Sequence, residues 1–139
     1  MSFAVALLIS RVAICAAWNF PGEKYEGSAQ SPYIMVTCVF HNTGPFPTVR
    51  MEAQCDVGEP FADTEKYIGL KRDPTDSGAF IVAATPSPHF KYLINNLNSI
   101  CPKRNFTNSD FSKFIVTSDV DELMIRLDGR YVSIRKVPS

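Results

Sequence analysis

The sequence predicts an all-β fold, an antiparallel up-and-down β-barrel of about eight strands. Segments rich in β-branched and aromatic residues recur at intervals of ~8–15 residues. Several of them alternate apolar and polar side chains, as a strand does with one face in a core and the other in water. Clusters of turn-forming residues separate them, with little convincing helix between. A β-sandwich is the alternative, because both architectures are built from such strands. A closed barrel has the advantage of removing exposed strand edges.

Taken in order, residues 33–40 read as a strand, bounded by Ser31-Pro32 before and Asn42-Thr43-Gly44-Pro45 after. Residues 48–56 alternate, with Val49, Met51, Ala53 and Cys55 on one face and Arg50, Glu52 and Gln54 on the other. Residues 66–71 make a short strand. Asp73-Pro74-Thr75-Asp76-Ser77-Gly78 is turn chemistry, in which Pro presets φ and Gly permits positive φ. Residues 79–84 follow as a strand ended by Pro86 and Pro88. Phe90, Tyr92 and Ile94 alternate while Leu93 and Leu97 sit at helical spacing, so 89–97 carries both signals; the strand is the expectation. Residues 98–110 are polar and turn-rich, a loop held by Cys101. Residues 113–118 and 122–127 are strands. Asp128-Gly129 then marks a hairpin, because both central residues of a type I′ turn need positive φ, and 130–137 returns.

The first seventeen residues set the compartment. An apolar run from Phe3 to Ile9 continues through Val12-Ala13-Ile14 into Cys15-Ala16-Ala17, and no acidic residue precedes Glu23. This is the pattern of a secretory leader over 1–17, with a single domain over 18–139 and an extracellular destination. Arg11 interrupts the run, which is too short to span a membrane. Secretion makes Cys15, Cys38, Cys55 and Cys101 disulfide candidates, with the pairing open and Cys15 dependent on where the leader is cut. Asn105-Phe106-Thr107 is a glycosylation sequon, in keeping with a surface loop.

Composition excludes several function classes. With 14 basic and 14 acidic residues in 139, no basic stripe marks a nucleic-acid surface. The only histidines, His41 and His89, have no ligating or nucleophilic neighbours in sequence, so no metal or cofactor is expected. No nucleophile elbow, phosphate loop or zinc-protease motif is present, and the chain is not expected to be an enzyme. Asp119, Asp121 and Glu122 cluster in one turn, where Asp bonding its own backbone is the ordinary role. Lys103-Arg104 beside Phe106 forms a small basic loop.

Three patches in chain order resemble the lipocalins. Asn19-Phe20 followed by Tyr25-Glu26-Gly27 resembles the family's opening motif, although Ser28-Ala29 follows where the family has Trp. Thr117-Ser118-Asp119 resembles the Thr-Asp motif between the sixth and seventh strands. Val132-Ser133-Ile134-Arg135 resembles the eighth strand, whose Arg packs at the closed end. Residues 66–82 are similar to the middle of arthropod-type members, and 95–110 reads as an insertion. The resemblance implies a barrel that holds a small hydrophobic molecule, with Asn19, Phe20, Gly27, Asp119 and Arg135 as structural positions and Trp18 as the aromatic under Arg135.

The expected ligand-facing side chains are Met35 and Met51 on the early strands, Phe80 and Val82 on the middle one, and Phe114, Val116, Leu123 and Ile125 near the end. Tyr33, Tyr92 or His89 would supply a polar contact. The alternative is a secreted, disulfide-stabilised β-sandwich that binds a protein partner. It would have a packed interior and an exposed apolar patch.

Overall fold

The computed structural model describes residues 23–30, 32–42, 47–83, 87–101 and 103–138. The expected leader over 1–17, with Cys15, and Trp18, Asn19 and Phe20 lie outside the described residues. The elements are β1 (Glu23–Ala29), β2 (Ile34–Asn42), β3 (Pro47–Gln54), β4 (Ala62–Asp63), β5 (Ile68–Arg72), β6 (Ala79–Val82), α1 (Pro88–Ile100), β7 (Lys113–Val116), β8 (Glu122–Leu127) and β9 (Arg130–Lys136). All pairings are antiparallel. They run from β1 through β2, β3, β5, β6, β7, β8 and β9 and return to β1, closing an eight-stranded barrel with β4 outside on the edge of β3. Closure overturns the sandwich alternative, because two packed sheets would leave free edges.

The closing seam is short. Only Tyr25↔Lys136 and Glu26↔Arg135 pair across β1 and β9, reinforced by the Val137 N–H donating to the Lys24 carbonyl at 2.8 Å. Beyond them Gly27 crosses directly over β9: a Cβ there would lie 2.1 Å from the Ser133 carbonyl oxygen. β1 carries a single large apolar side chain, Tyr25, too little for a period-two pattern. The eighth strand of the barrel is therefore β1, and not residues 89–97.

Those residues form α1 instead. Pro88 starts the helix, where its missing N–H costs nothing. Phe90, Leu93, Ile94 and Leu97, at helical spacing, are buried, while Tyr92 faces outward at 44% exposure. The Phe90-Tyr92-Ile94 alternation was a coincidence of the helical stripe with a period of two. α1 packs against β3 and β4. The Cys55–Cys101 disulfide ties its C-terminal end to the end of β3.

β4 and β5 lie one after the other along β3 with a shift between them. Glu52↔Asp63 and Val49↔Ile68 differ by two residues in register, so two extra residues bulge out around Glu65, which takes φ 62°. Thr64 repairs the ladder there. Its backbone N–H donates to Met51 O at 3.0 Å, and its hydroxyl accepts from the Met51 N–H at 3.2 Å and donates to Lys66 O at 2.8 Å. A fully buried hydroxyl thus stands in for a strand carbonyl.

The registers also fix the two ends. One end collects the strand termini at Glu23 and Lys136 and the turns at 73–78 and 117–121. The other, the mouth, collects the turns after β1, β3 and β8 together with α1 and the 101–112 segment. The Asp128-Gly129 hairpin has positive φ at both positions, 52° and 73°.

Candidate binding site in the barrel and at its mouth

Every barrel strand turns apolar side chains inward: Tyr25 from β1, Phe40 from β2, Met51 from β3, Leu70 from β5, Phe80 from β6, Phe114 from β7, Ile125 from β8 and Ile134 from β9, all buried in one core. Tyr25, Phe40 and Phe114 form an edge-to-face chain across it, with ring centroids 5.6 and 5.4 Å apart. Tyr25 carries the one polar handle in that chain, its hydroxyl donating to the Val120 carbonyl at 3.1 Å. Burial, and secondarily the carboxylates of Glu23, Asp121 and Asp119, push its pKa up to about 12.

Met51, Phe80, Val82, Phe114, Leu123 and Ile125 meet in this interior. Val116 is half-buried at the edge of the same core. Met35 does not join them. The inward residues of β2 are Ile34, Val36, Cys38 and Phe40, so Met35 falls on the outer face, one residue out of phase. Tyr33 is half-buried in the turn before β2, and Tyr92 stands outside on α1. Sequence reasoning missed Tyr25 and Phe40 as members of the central chain. Phe40 sits in a recognisable strand and could have been placed; Tyr25 could not.

Cys38 is fully buried and free, which removes it from the disulfide candidates. Burial in apolar surroundings pushes its thiol pKa up, away from reactivity. His41 is exposed with its ring against Tyr67, and His89 is half-buried on α1. Among the described residues no group of three or more His, Cys, Asp or Glu side chains is placed to hold a metal ion.

At the end away from the mouth, Arg135 is 57% exposed and pairs with Asp119 at 3.0 Å and Glu122 at 3.2 Å. These carboxylates pair with the guanidinium; Trp18, the aromatic that the resemblance would place under Arg135, lies outside the described residues. The backbone N–H of Asp121, and then Arg135, hold the Asp119 carboxyl below its ordinary range.

The mouth is covered. α1 lays its four apolar side chains into the core, and Phe106 and Phe111 follow from the next segment. Arg104, with a side chain only 9% exposed, fastens this cover. It donates to the Tyr33 carbonyl at 2.9 Å, pairs with the Asp128 carboxylate, and lies 4.8 Å from the centroid of Phe106. Asp110 completes the clasp by accepting from the Asp128 N–H at 2.9 Å. Asn105 is exposed on this segment.

Compared with protein-family models, curated proteins and solved structures, the chain matches none. Among the described residues no helix is long and apolar enough to cross a membrane.

Proposed function

We propose that this protein is a secreted lipocalin-like binding protein that takes a small hydrophobic ligand into its barrel. The observation that carries the reading is an eight-stranded closed barrel with an apolar inner face on every strand. An interior of that strand number is filled by side chains or holds one small ligand. Met51, unbranched and adaptable, is the interior residue best able to yield to a guest. Entry is from the mouth, where the cover is a separate segment whose ties to the barrel include the Cys55–Cys101 disulfide, Arg104 and Asp110. The disulfide supports an oxidising compartment.

Native and denaturing mass spectrometry of the secreted protein, with titration of a neutral apolar dye, tests this. A native mass in excess of the denatured one, or saturable one-to-one dye binding, is the expected result. Absence of both a mass excess and saturable binding would sink the reading. A protein-binding role is the second reading, favoured by Val57 and Phe61, which are 78% and 53% exposed on the loop between β3 and β4.

A further inference from the structure

Outside the barrel, the rim of the mouth carries a groove that the interior site does not use. Two clefts of about 450 and 480 Å³ share Pro32, Lys103 and Arg104 and so adjoin along the rim. At one end lie Arg130 and Asp128. The other end is bordered by Tyr33, Ile100 and the Cys55–Cys101 disulfide, with Asp56 and Glu59 beside them.

The charges in this groove are unevenly spent. Arg104 is committed to Asp128 and to the Tyr33 carbonyl, and that pair is electrically closed. Arg130 donates to a neutral acceptor, the Gln30 carbonyl at 3.0 Å. Neither Arg130 nor Lys103 takes part in an ion pair among the described residues. The first cleft therefore presents two cations outside any ion pair among the described residues, one of them a planar fork suited to an oxyanion. The second cleft supplies the apolar surface, from Tyr33, Ile100 and the disulfide. Asp56 and Glu59 repel an anion from the other end and so fix the direction in which a ligand lies.

We propose that this groove binds an amphiphilic monoanion, a carboxylate head on Lys103 and Arg130 with an apolar tail along Tyr33, Ile100 and the disulfide. Each cleft is at the small end of the range for ligand pockets, which suits a single-tailed amphiphile and not a two-chain lipid. The site is distinct from the barrel interior and stands whether or not the interior takes a guest.

The test is calorimetric titration with decanoate and, separately, methyl decanoate, in an N105Q background so that no glycan crowds the rim. With the interior saturated by the neutral dye, decanoate is expected to bind the groove one-to-one, with methyl decanoate about tenfold weaker or more. The pair K103E/R130E is expected to weaken decanoate by about tenfold or more, from loss and reversal of two surface charges. It should leave methyl decanoate and the neutral dye unchanged. K103Q/R130Q, a milder pair, gives a smaller loss in the same direction and serves if the reversal disturbs folding. Equal affinity for acid and ester, or a decanoate affinity indifferent to both variant pairs, overturns the proposal. Loss of the neutral-dye signal alone bears on the interior and not on the groove.

Discussion

Replacing Gly27 with Ala tests whether the barrel closes as described. The added Cβ would sit 2.1 Å from Ser133 O, 2.9 Å from Ile134 Cγ2 and 3.0 Å from Ile134 Cα. Two of the three obstacles are backbone, so no rotamer change relieves them. β9 cannot retreat either, because Ser133 and Ile134 are paired with Met124 and Leu123 of β8. The strand that must lift is β1, and it is held to β9 by only two register pairs. Overpacking of this kind costs about 3 kcal/mol, the upper part of the usual range. The lower entropy of an unfolded chain carrying Ala returns ~0.5–1 kcal/mol. The net loss of about 2 kcal/mol lowers Tm by roughly 8 °C for a domain of this size. Gly69→Ala is the control: it is also in a strand, but its Cβ would meet only Ala83 Cβ at 3.8 Å. Thermal melts followed by far-UV circular dichroism compare the two. If G27A melts within about 2 °C of the parent, β1 and β9 do not approach as closely as described.

The other predictions concern the mouth tether and the two ends of the pH scale. Removing the Cys55–Cys101 disulfide, which spans 46 residues, as C55S/C101S should cost about 4 kcal/mol on the chain-entropy model. Urea unfolding measures it, and a loss under about 1 kcal/mol would mean that α1 stays seated without its tether. Tyr25 has a folded pKa of about 12 against an ordinary 10.0, so its contribution is complete below pH 10 and fades as pH rises toward 12. Y25F should lose about 1 kcal/mol at neutral pH with the bond to Val120, and should show a weaker alkaline fall in Tm. An unchanged alkaline limb assigns that fall to other groups. The Asp73 carboxyl is held below its ordinary 3.8 by the Thr75 N–H and hydroxyl, each at 2.8 Å, and by Lys113. Its contribution is therefore present above that value and disappears as pH falls through the lower folded one. In D73N the Tm profile should start lower at neutral pH and flatten in acid, and an acid limb identical to the parent's would refute the assignment.

The strands that could be read from the sequence are those whose own side chains settle the matter. β8 alternates Leu123, Ile125 and Leu127 inward, and the Asp-Gly turn after it forces the hairpin to β9. Two elements misled for opposite reasons. β1 owes its place to what other strands do: a gap in the barrel, a glycine thin enough to cross β9, and one tyrosine long enough to reach Val120. The α1 segment holds a full helical stripe, but within ten residues its apolar positions also satisfy a period of two. Tertiary packing decides between them, and β3 and β4 supply the surface that accepts the helical face. The Met35 error has the same origin. In the run from Ile34 to Phe40 both faces are largely apolar, so the sequence names a strand without naming which face turns inward.

The mouth was illegible because it is assembled by contacts distant in sequence. Lys103 and Arg104 look alike as neighbours in a basic loop. Folding sends Arg104 inward to a carbonyl 71 residues away and a carboxylate 24 residues away, and leaves Lys103 exposed on the rim. The two side chains are then chemically unlike. Arg104 is a fastener whose removal would strand the Tyr33 carbonyl and the Asp128 carboxylate. Lys103 makes no ion pair among the described residues, so changing it leaves the fold intact. This division is what makes the rim groove testable: its charge can be altered at Lys103 and Arg130 while the clasp that holds the cover on the barrel stays in place.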